Sequence, residues 1–451
     1  MTRPVAVHWF RRDLRLADHP ALAAAAAEGD VLALFVLDPR FLERAGSNRL
    51  RFLFGCLDQL DEAMDGALRV VAGDPVDVVP AIAASSDAVA VFATEDFGPY
   101  GRKRDDAVAR ALRGDGRSLQ LVGSAYAVDP GRVLKDDGAP YAVFTPFARS
   151  WSKALPGEPI GVPEVRWSRV GEATRPPWPE VASEDAELPE AGEDAAHRRW
   201  EAFVAGGLDA YSSDRDRPDR PGTSGLSPYL RFGLVHPRQL LADLGARRSH
   251  EVYANELGWR EFYADVLFHQ PLTAWHNLDH RMDGLAVDTD RAARARLDRW
   301  RHGTTGVPIV DAGMRQLLAT GWMHNRLRMI TASFLVKDLH LPWQWGARHF
   351  LVELVDGDLA SNNHGWQWTA GTGTDPAPYF RIFNPVTQSK RFDPDGAYIR
   401  RWVPELASVD DDLVHAPWTS KRGAPDSYPP PMVDHAEERE EALRRYNATR
   451  V

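Results

Sequence analysis

The sequence predicts an α/β N-terminal domain, built on a parallel, five-stranded, doubly wound sheet, followed by an all-α domain. The first observation is an alternation of short β-rich runs with helical segments, which is typical of a parallel sheet covered by helices. The runs lie at 5–10, 31–37, 68–71, 88–93 and 119–122, and the helical segments at 20–27, 49–64, 75–84 and 102–112. The second is apolar spacing of three and four residues after residue 195, which indicates helices, most clearly over 251–269 and 311–339.

These patterns divide the chain into three parts: an α/β domain over 1–125, a connector over 126–194 and a helical domain over 195–451. Prolines recur in the connector and no apolar period persists, so we expect a mostly irregular segment on the surface. Within the helical part, 356–384 is rich in Gly, Asn, Trp and Thr, a composition that predicts a functional loop.

The composition is that of an ordinary globular protein. Hydrophobic residues make up 44% and charged residues 26% of the 451 positions, and the longest apolar runs are too short to span a bilayer. Cys56 is the single cysteine, which excludes an internal disulfide. We therefore expect a cytoplasmic, monomeric protein with no membrane segment, no secretory leader and no metal site. The net charge of −10 does not exclude DNA as a partner, because contacts depend on local charge.

One helical segment combines charged and aromatic side chains on a face that is poorly suited to packing in a hydrophobic core. Glu256, Trp259, Arg260 and Tyr263 share a face at three- and four-residue spacing. An indole that stacks and a carboxylate that accepts hydrogen bonds suit the wall of a pocket for a polar aromatic ligand. The alternative is a solvated amphipathic face with one large anchor.

A second segment, 321–329, suits the same kind of pocket. Asn325 and Met329 would place one amide beside apolar surface, and the neighbouring Arg326 and Arg328 suit phosphates. His324 is better explained as a structural histidine.

Two further segments carry polar groups suited to a nucleotide. Asp356 and Asp358 flank Gly357, but the spacing of a calcium-binding loop is absent, so the carboxylates could instead accept from ribose hydroxyls or an adenine amine. The run Gly-Thr-Ser-Gly-Leu-Ser-Pro at 222–228 offers hydroxyls and backbone N–H groups before a helix. A helix cap would have a similar sequence.

Together these segments resemble the DNA photolyase and cryptochrome family, and within it the class I cyclobutane pyrimidine dimer photolyases. The resemblance covers nearly the whole chain. Its strongest motifs are TSGLSP from Thr223, NELGWREFY from Asn255, TGVPIVDAGMRQL from Thr305, TGWMHNRLRM from Thr320, DGDLASNN from Asp356 and FRIFNPVTQ from Phe380.

The resemblance implies an enzyme that repairs cyclobutane pyrimidine dimers in UV-damaged DNA with light. Electron transfer from excited, reduced FAD to a flipped-out dimer would split the dimer. The alternative is a cryptochrome-type blue-light receptor with the same fold and cofactor but no repair activity. A light-independent flavin oxidoreductase is disfavoured, because no dinucleotide fingerprint follows the first strand.

The resemblance also implies site residues. The FAD-binding positions are Tyr211, Thr223, Ser224, Gly225, Leu226, Ser227, Arg328, Asp356, Gly357, Asp358 and Asn362. Among these, Arg328 and Asp356 would form a salt bridge beside the flavin, and Asn362 would face flavin N5. The positions that contact the dimer or the DNA are Arg215, Glu256, Trp259, Arg260, Asn325, Arg326, Met329, Trp368 and Gln388. Glu256 would also act in catalysis, by a hydrogen bond to the dimer or by stabilising its charge.

The family relays electrons to FAD through three tryptophans, and here the third is missing. Trp366 matches the flavin-proximal position and Trp343 the middle one. The third should fall near Asp290, but 285–291 contains no aromatic residue. We therefore expect photoreduction of oxidised FAD to be slow or to use another electron route. His364 also occupies a position where the family commonly has glycine, and the sequence suggests no role for it.

The N-terminal domain resembles the family's antenna domain. The run from Asp96 to Asp105 is closer to the type that binds 8-hydroxy-5-deazaflavin than to the type that binds 5,10-methenyltetrahydrofolate. An empty antenna site is the third possibility. The residues expected near the pigment are Asp38, Arg51, Asp96, Tyr100 and Arg104.

Overall fold

The computed structural model describes residues 3–170, 177–181, 186–374, 381–421 and 423–449. The chain forms two compact units. The first comprises the described residues of 1–184, 189–208 and 224–271, and the second those of 185–188, 209–223 and 272–451. The three-part division of the chain stays a prediction, because spatial proximity does not test which segments fold by themselves.

Five parallel strands form the sheet of the first unit, which confirms the predicted fold class. They are β1 (Val5–Phe10), β2 (Asp30–Leu37), β3 (Leu68–Ala72), β4 (Ala88–Glu95) and β5 (Leu119–Ser124). Their order is β3-β2-β1-β4-β5, so the direction of winding reverses between β1 and β4. In open α/β sheets, ligands bind at the carboxyl ends of the strands at such a switch point.

The helices between and after the strands are α1 (Pro20–Glu28), α2 (Pro39–Leu42), α3 (Ser47–Ala63), α4 (Pro75–Ser85) and α5 (Pro99–Gly114), of which α1, α4 and α5 pack against the sheet. Val7 and Trp9 of β1 share one apolar cluster with Val79 of α4 and Val108 of α5. This alternation along β1 is the period-two pattern of a strand that packs helices against its face. Helix α1 is capped by the side chain of His19, which accepts a hydrogen bond from the Leu22 N–H.

The predicted irregular connector contains a helix, α6 (Phe144–Trp151). Its three buried side chains, Phe144, Phe147 and Trp151, recur at helical spacing and face inward. The surrounding prolines obscured this short pattern in the sequence. Residues 171–176 and 182–185 of the connector lie outside the described part of the chain.

The rest of the chain is helical, as the sequence predicts. The helices are α7 (Glu193–Gly206), α8 (Tyr211–Asp214), α9 (Ser227–Phe232), α10 (Pro237–Ala242), α11 (Arg248–His269), α12 (Arg291–Arg301), α13 (Pro308–Thr320), α14 (Asn325–Ser333), α15 (Trp343–Glu353), α16 (Leu359–Ala370), α17 (Pro385–Phe392), α18 (Ala397–Trp402), α19 (Asp411–Val414) and α20 (His435–Ala448). Short 3-10 turns lie at Leu208–Ala210, Pro271–Ala274, His280–Gly284, Pro404–Leu406 and Pro417–Thr419, and a π turn at Phe334–Asp338. Among the described helices, none combines the length and apolarity needed to cross a bilayer.

The single helical segment predicted over 311–339 is wrong in detail, because the structure divides it into α13, α14 and the π turn. Gly321 adopts a left-handed conformation, with φ of 63°, and its N–H donates to the Leu317 carbonyl, which ends α13. The His324 side chain then accepts from the Arg326 N–H and starts α14. The apolar spacing runs through this break, so spacing alone did not show it.

The functional loop predicted over 356–384 is also corrected, since most of its first half is α16. The Asp358 carboxylate accepts from the Ser361 N–H at the start of the helix, and left-handed Gly371 ends it. Glycines and asparagines disfavour a helix by propensity, but tertiary packing stabilises this one. Residues 375–380 lie outside the described part, including Phe380, the first residue of one family motif.

Glu261, on the buried face of α11, binds the start of the connector. Its carboxylate accepts from the backbone N–H groups of Ala127 and Val128, the latter at 3.0 Å, and from the Trp151 indole N–H of α6. Burial raises the pKa of Glu261 to about 7, although these three donors favour the anion. One carboxylate therefore attaches both the connector backbone and α6 to α11.

Replacing this carboxylate should destabilise the protein. Gln has one acceptor oxygen, so Glu261→Gln leaves a buried donor facing an NH2 group, and the free energy of unfolding should fall by about 1–3 kcal/mol. Chemical denaturation near neutral pH measures it. Glu201→Gln, on an exposed position of α7, is the matched control and should change little. Equal stability of the two variants would contradict the role of Glu261.

The pH dependence of stability should follow the raised pKa of Glu261. The folded protein keeps the proton up to about pH 7, whereas the unfolded chain loses it near the ordinary value of 4.5. The contribution of Glu261 to the free energy of unfolding therefore falls as pH rises between these values and is constant above them. We expect wild type and Glu261→Gln to differ more in acid than above neutrality. Chemical denaturation across this pH range measures the difference in free energy of unfolding between the two proteins. A difference that widens as pH rises would contradict the raised pKa of Glu261.

Candidate functional site

Asp356 and Arg328 of the second unit form the ion pair that the sequence predicts. The Arg328 guanidinium donates to Asp356 Oδ2 at 2.7 Å and to the Met323 carbonyl at 2.8 Å. Asp356 is buried, and its other oxygen, Oδ1, has no hydrogen-bond partner among the described residues. Arg328 thus stabilises a buried carboxylate that still has one acceptor for a ligand.

Asn362 lies on the first turn of α16, shortly after Asp356, Gly357 and Asp358. Its amide nitrogen donates to the Ala347 carbonyl at 3.0 Å and to Asn363 Oδ1 at 2.8 Å. Both bonds restrain the side chain, so the amide oxygen is the atom that Asn362 can offer to a ligand. That Asn362 faces flavin N5 stays a prediction.

Thr223 and Tyr211 belong to the second unit, whereas Ser224, Gly225, Leu226 and Ser227 belong to the first. In the first unit, the Ser224 hydroxyl lies 3.0 Å from the Tyr253 hydroxyl, and Ser227 begins α9. Gly225 has a φ of 63°, and an added Cβ would lie 3.2 Å from the Arg199 guanidinium carbon. Glycine suits this position for both reasons.

The residues of the second unit fit a cofactor such as FAD. The donors of FAD include ribose and ribityl hydroxyls, the adenine amine and ring N–H groups. The unpartnered oxygen of Asp356 and the amide oxygen of Asn362 are acceptors of the kind these donors need. Asp356 and Arg328 would hold the cofactor, and Asn362 would orient it.

Helix α11 carries three of the residues that the sequence predicts to contact the dimer or the DNA, Glu256, Trp259 and Arg260. Glu256 and Trp259 are half-buried, and Trp259 stacks on Phe144 with ring centroids 3.9 Å apart. Arg260 has another environment: it donates to the Ala125 carbonyl at 3.0 Å and the Leu230 carbonyl at 3.3 Å, and lies over the Tyr126 ring. These bonds favour a packing role for Arg260, and its contact with DNA stays a prediction.

Helix α14 begins with two of the predicted DNA-pocket residues, exposed Asn325 and half-buried Arg326. Arg326 donates to Asp216 at 2.7 Å and to the sulfur of Met329 at 3.7 Å, and its guanidinium lies over the Phe392 ring. Met329 and Arg326 therefore lie together.

His324, which caps α14, has a pKa lowered to about 4 by burial, consistent with the structural role expected for it. The other predicted DNA contacts of the second unit are separate from this group in the chain. Arg215 follows α8 and lies over the Tyr211 ring, half-buried Trp368 is on α16, and half-buried Gln388 is on α17.

Trp366 and Trp343 are both buried in the core of the second unit. Trp366 packs against Phe350, with centroids 5.0 Å apart, and against Trp300 at 6.0 Å. An added Cβ on Gly346 would lie 2.1 Å from the Trp366 ring, so this position requires glycine. The Trp343 indole donates to Asn277 Oδ1 at 2.9 Å. The stretch 285–291 is described and contains no aromatic side chain; Asp290 caps α12 instead.

His364, for which the sequence suggested no role, has both ring nitrogens bonded. Nδ1 donates to the Ala360 carbonyl at 2.8 Å, which leaves Nε2 to accept from the Thr273 hydroxyl at 2.9 Å. Burial lowers its pKa to about 4, so the ring is neutral. His364 attaches the Pro271–Ala274 turn to α16.

Four of the five predicted antenna residues cluster at the carboxyl edge of the sheet. The Tyr100 hydroxyl donates to Asp38 Oδ2, which follows β2, and Arg104 lies 3.4 Å from Asp96, which follows β4. An added Cβ on Gly101 would lie 2.1 Å from the Asp96 carboxyl group. The Asp96 side chain can therefore pack against the start of α5 only because residue 101 is glycine. Arg51 is on α3, half-buried.

A small cleft opens beside this cluster, next to the switch point between β1 and β4. Of the predicted antenna residues, Asp96 lines it. The lining residues are Arg11, Arg12, Thr94, Glu95, Asp96, Phe97, Ala125 and Tyr126. Neither sequence spacing nor the motif indicated Arg11 or Glu95.

Comparisons with known sequences identify two regions of the chain. The sequence model described as DNA photolyase matches residues 6–164, and the model described as the FAD binding domain of DNA photolyase matches residues 253–448. The first region includes the β1–β5 sheet, and the second begins within α11 and includes α16.

Similar curated proteins match over nearly their whole length. The deoxyribodipyrimidine photo-lyase of Escherichia coli K12 is 39% identical, with 98% of each chain covered, and that of a Synechococcus strain is 40% identical, with 99% of this chain and 97% of the relative covered.

Solved structures of similar proteins also match this chain over nearly its whole length. A bacterial class III photolyase from Agrobacterium tumefaciens has a TM-score of 0.89 at 33% identity, covering 100% of this chain and 98% of that one. A cryptochrome from Synechocystis has a TM-score of 0.88 at 28% identity, covering 98% and 99%. With sequence identity of this level spread along both units, this chain belongs to the DNA photolyase family.

Proposed function

We propose that this protein repairs cyclobutane pyrimidine dimers in UV-damaged DNA with light. Relatives that are 38–40% identical are named deoxyribodipyrimidine photo-lyase, and their coverage includes the residues of the candidate site. A match to the FAD-binding domain of the family supports FAD as the cofactor.

The observation that carries this proposal is the buried Asp356 carboxylate. One of its oxygens is bonded to Arg328, and the other has no partner among the described residues. A buried acceptor without a donor costs free energy unless a ligand supplies one. Asp356 lies just before α16, the helix that carries Asn362 and Trp366, so a cofactor bound at Asp356 would lie at the start of that helix. When bound, reduced FAD would supply, after excitation, the electron that opens the dimer.

The chain's own residues bind and orient the reactants. Trp259 provides an aromatic face on which a flipped-out pyrimidine stacks, and Glu256, one helical turn earlier, hydrogen-bonds to it. Arg215 and Arg326 bind phosphates, which makes DNA affinity fall with salt. Arg326 is paired with Asp216, so it must exchange this partner for a phosphate.

The receptor alternative has less support. The Synechocystis cryptochrome is 28% identical, below the 38–40% of the relatives named as repair enzymes. Incubating the reduced protein with a dimer-containing oligonucleotide, in light and in darkness, distinguishes the two. Restored pyrimidines in light alone support repair, and none in either condition rejects it.

For the antenna we propose 8-hydroxy-5-deazaflavin, with 5,10-methenyltetrahydrofolate as the alternative. The pairs Tyr100–Asp38 and Arg104–Asp96 place hydroxyl, carboxylate and guanidinium groups at the carboxyl edge of the sheet, near the cleft at the switch point. A phenolic, polar ring system suits such groups. The absorption spectrum of the purified protein distinguishes the two pigments from each other and from an empty site.

Removing the Glu256 carboxylate should impair repair. Glu256→Ala deletes a hydrogen bond to a group that becomes charged, worth about 1.5–3 kcal/mol, so repair under limiting substrate should fall by about tenfold or more. Initial repair rates of the reduced protein under constant light measure this. Glu251→Ala, on an exposed position in the first turn of the same helix, is the control and should repair like wild type. Equal rates for the two variants would argue against Glu256.

Trp366 should be needed to reduce the cofactor but not to repair DNA. Phenylalanine is far harder to oxidise than tryptophan, so Trp366→Phe should abolish the light-driven reduction of oxidised FAD. Repair by chemically reduced protein should persist. Trp300→Phe, a buried neighbour with its centroid 6.0 Å from Trp366, controls for packing and should photoreduce normally. Flavin absorption under blue light is the measurement, and undiminished photoreduction in Trp366→Phe would contradict the relay.

A further inference from the structure

Phe144 of α6 stacks against Trp259, the half-buried aromatic residue of α11. The ring centroids are 3.9 Å apart and the planes are inclined by 12°, so the two rings lie face to face. Phe144 itself is buried, with 8% of its surface exposed. One face of the Trp259 indole is therefore covered by Phe144, and a ligand that stacks on Trp259 must use the opposite face.

Two further aromatic rings contact Trp259. The Phe262 ring lies at a steep angle to it, with centroids 5.7 Å apart and planes inclined by 76°, and the Tyr263 ring lies 5.4 Å away. Phe144 contacts Phe262 as well, at 5.9 Å. Together with the stacked Phe144 ring, these contacts restrict the orientation of the indole plane.

Helix α6 is in turn attached to α11 along its length. Phe147, in the middle of α6, packs on Phe262 with centroids 5.1 Å apart, and Trp151, at its end, donates to Glu261. Phe144 is thus the first residue of a short helix whose other buried side chains hold it against α11. This arrangement places the Phe144 ring independently of any substrate.

We infer that Phe144 is a positioning residue for the damaged base, and that it acts by backing the Trp259 indole. The inference rests on the proposed function, in which a pyrimidine dimer stacks on Trp259. A base stacks well only on a ring whose plane is already oriented, because ordering a mobile ring during binding reduces affinity. The connector, outside the FAD-binding region of the chain, therefore contributes to substrate recognition.

The test compares variants that keep or remove the flat ring. Phe144→Met fills a similar volume without a planar face, and we expect about tenfold weaker binding of a dimer-containing oligonucleotide in darkness. Phe144→Tyr keeps the ring and should bind like wild type. Affinity for undamaged DNA should be the same in all variants, because no flipped base then contacts Trp259. Repair per bound dimer should also change little, since Phe144 does not touch the substrate.

Phe147→Met is the matched control. It alters the same helix and the same aromatic cluster but keeps the Phe144 ring that backs Trp259, so it should lower thermal stability and weaken dimer binding much less than Phe144→Met. The inference is overturned if Phe144→Met binds like wild type, if Phe147→Met weakens binding equally, or if Phe144→Tyr binds as weakly as Phe144→Met. Wild-type protein that binds the dimer but does not repair it would reject the proposed function and not the role of Phe144.

Discussion

The buried carboxylate of Glu261 is the interaction on which the first unit's part of the site depends. It accepts hydrogen bonds from the connector backbone at Ala127 and Val128 and from Trp151 of α6, and it is a side chain of α11. A buried carboxylate is unfavourable unless donors surround it, so the connector and α6 cannot move away without leaving it unpaired. The same helix carries Glu256 and Trp259 on another side. Glu261 thereby fixes the helix that carries both residues.

In the second unit, α16 has the corresponding role. Its start is defined by the Asp358 cap and its end by left-handed Gly371, and between them His364 bonds the Pro271–Ala274 turn. Gln367, one turn further, exchanges hydrogen bonds with the Thr273 carbonyl and the Leu278 N–H. With its orientation set in this way, α16 presents Asn362 from one end and buries Trp366 towards the other. The Arg328–Asp356 pair completes the arrangement just before the helix begins.

Polar groups that look alike in the sequence have different roles in the structure. Arg260 and Arg326 are both among the predicted DNA contacts, yet Arg260 donates to two backbone carbonyls, whereas Arg326 donates to the carboxylate of Asp216. Likewise His364 and His324 are neutral and structural, and their lowered pKa values result mainly from burial. Titratable residues near a site are therefore informative only together with their partners.

By itself, the sequence determined the five strands, most helices and the family to which the chain belongs, because apolar periodicity and family motifs are local properties of the chain. It also indicated the Arg328–Asp356 pair, which the structure contains. Tertiary structure alone decided the helix at 359–370, where packing overcomes poor propensity, and the break at Gly321 inside a continuous apolar pattern. It likewise decided the partners of His364, Arg260 and Trp259. These contacts join residues far apart in sequence, and the spacing of neighbouring residues holds no information about which distant segment will pack against them.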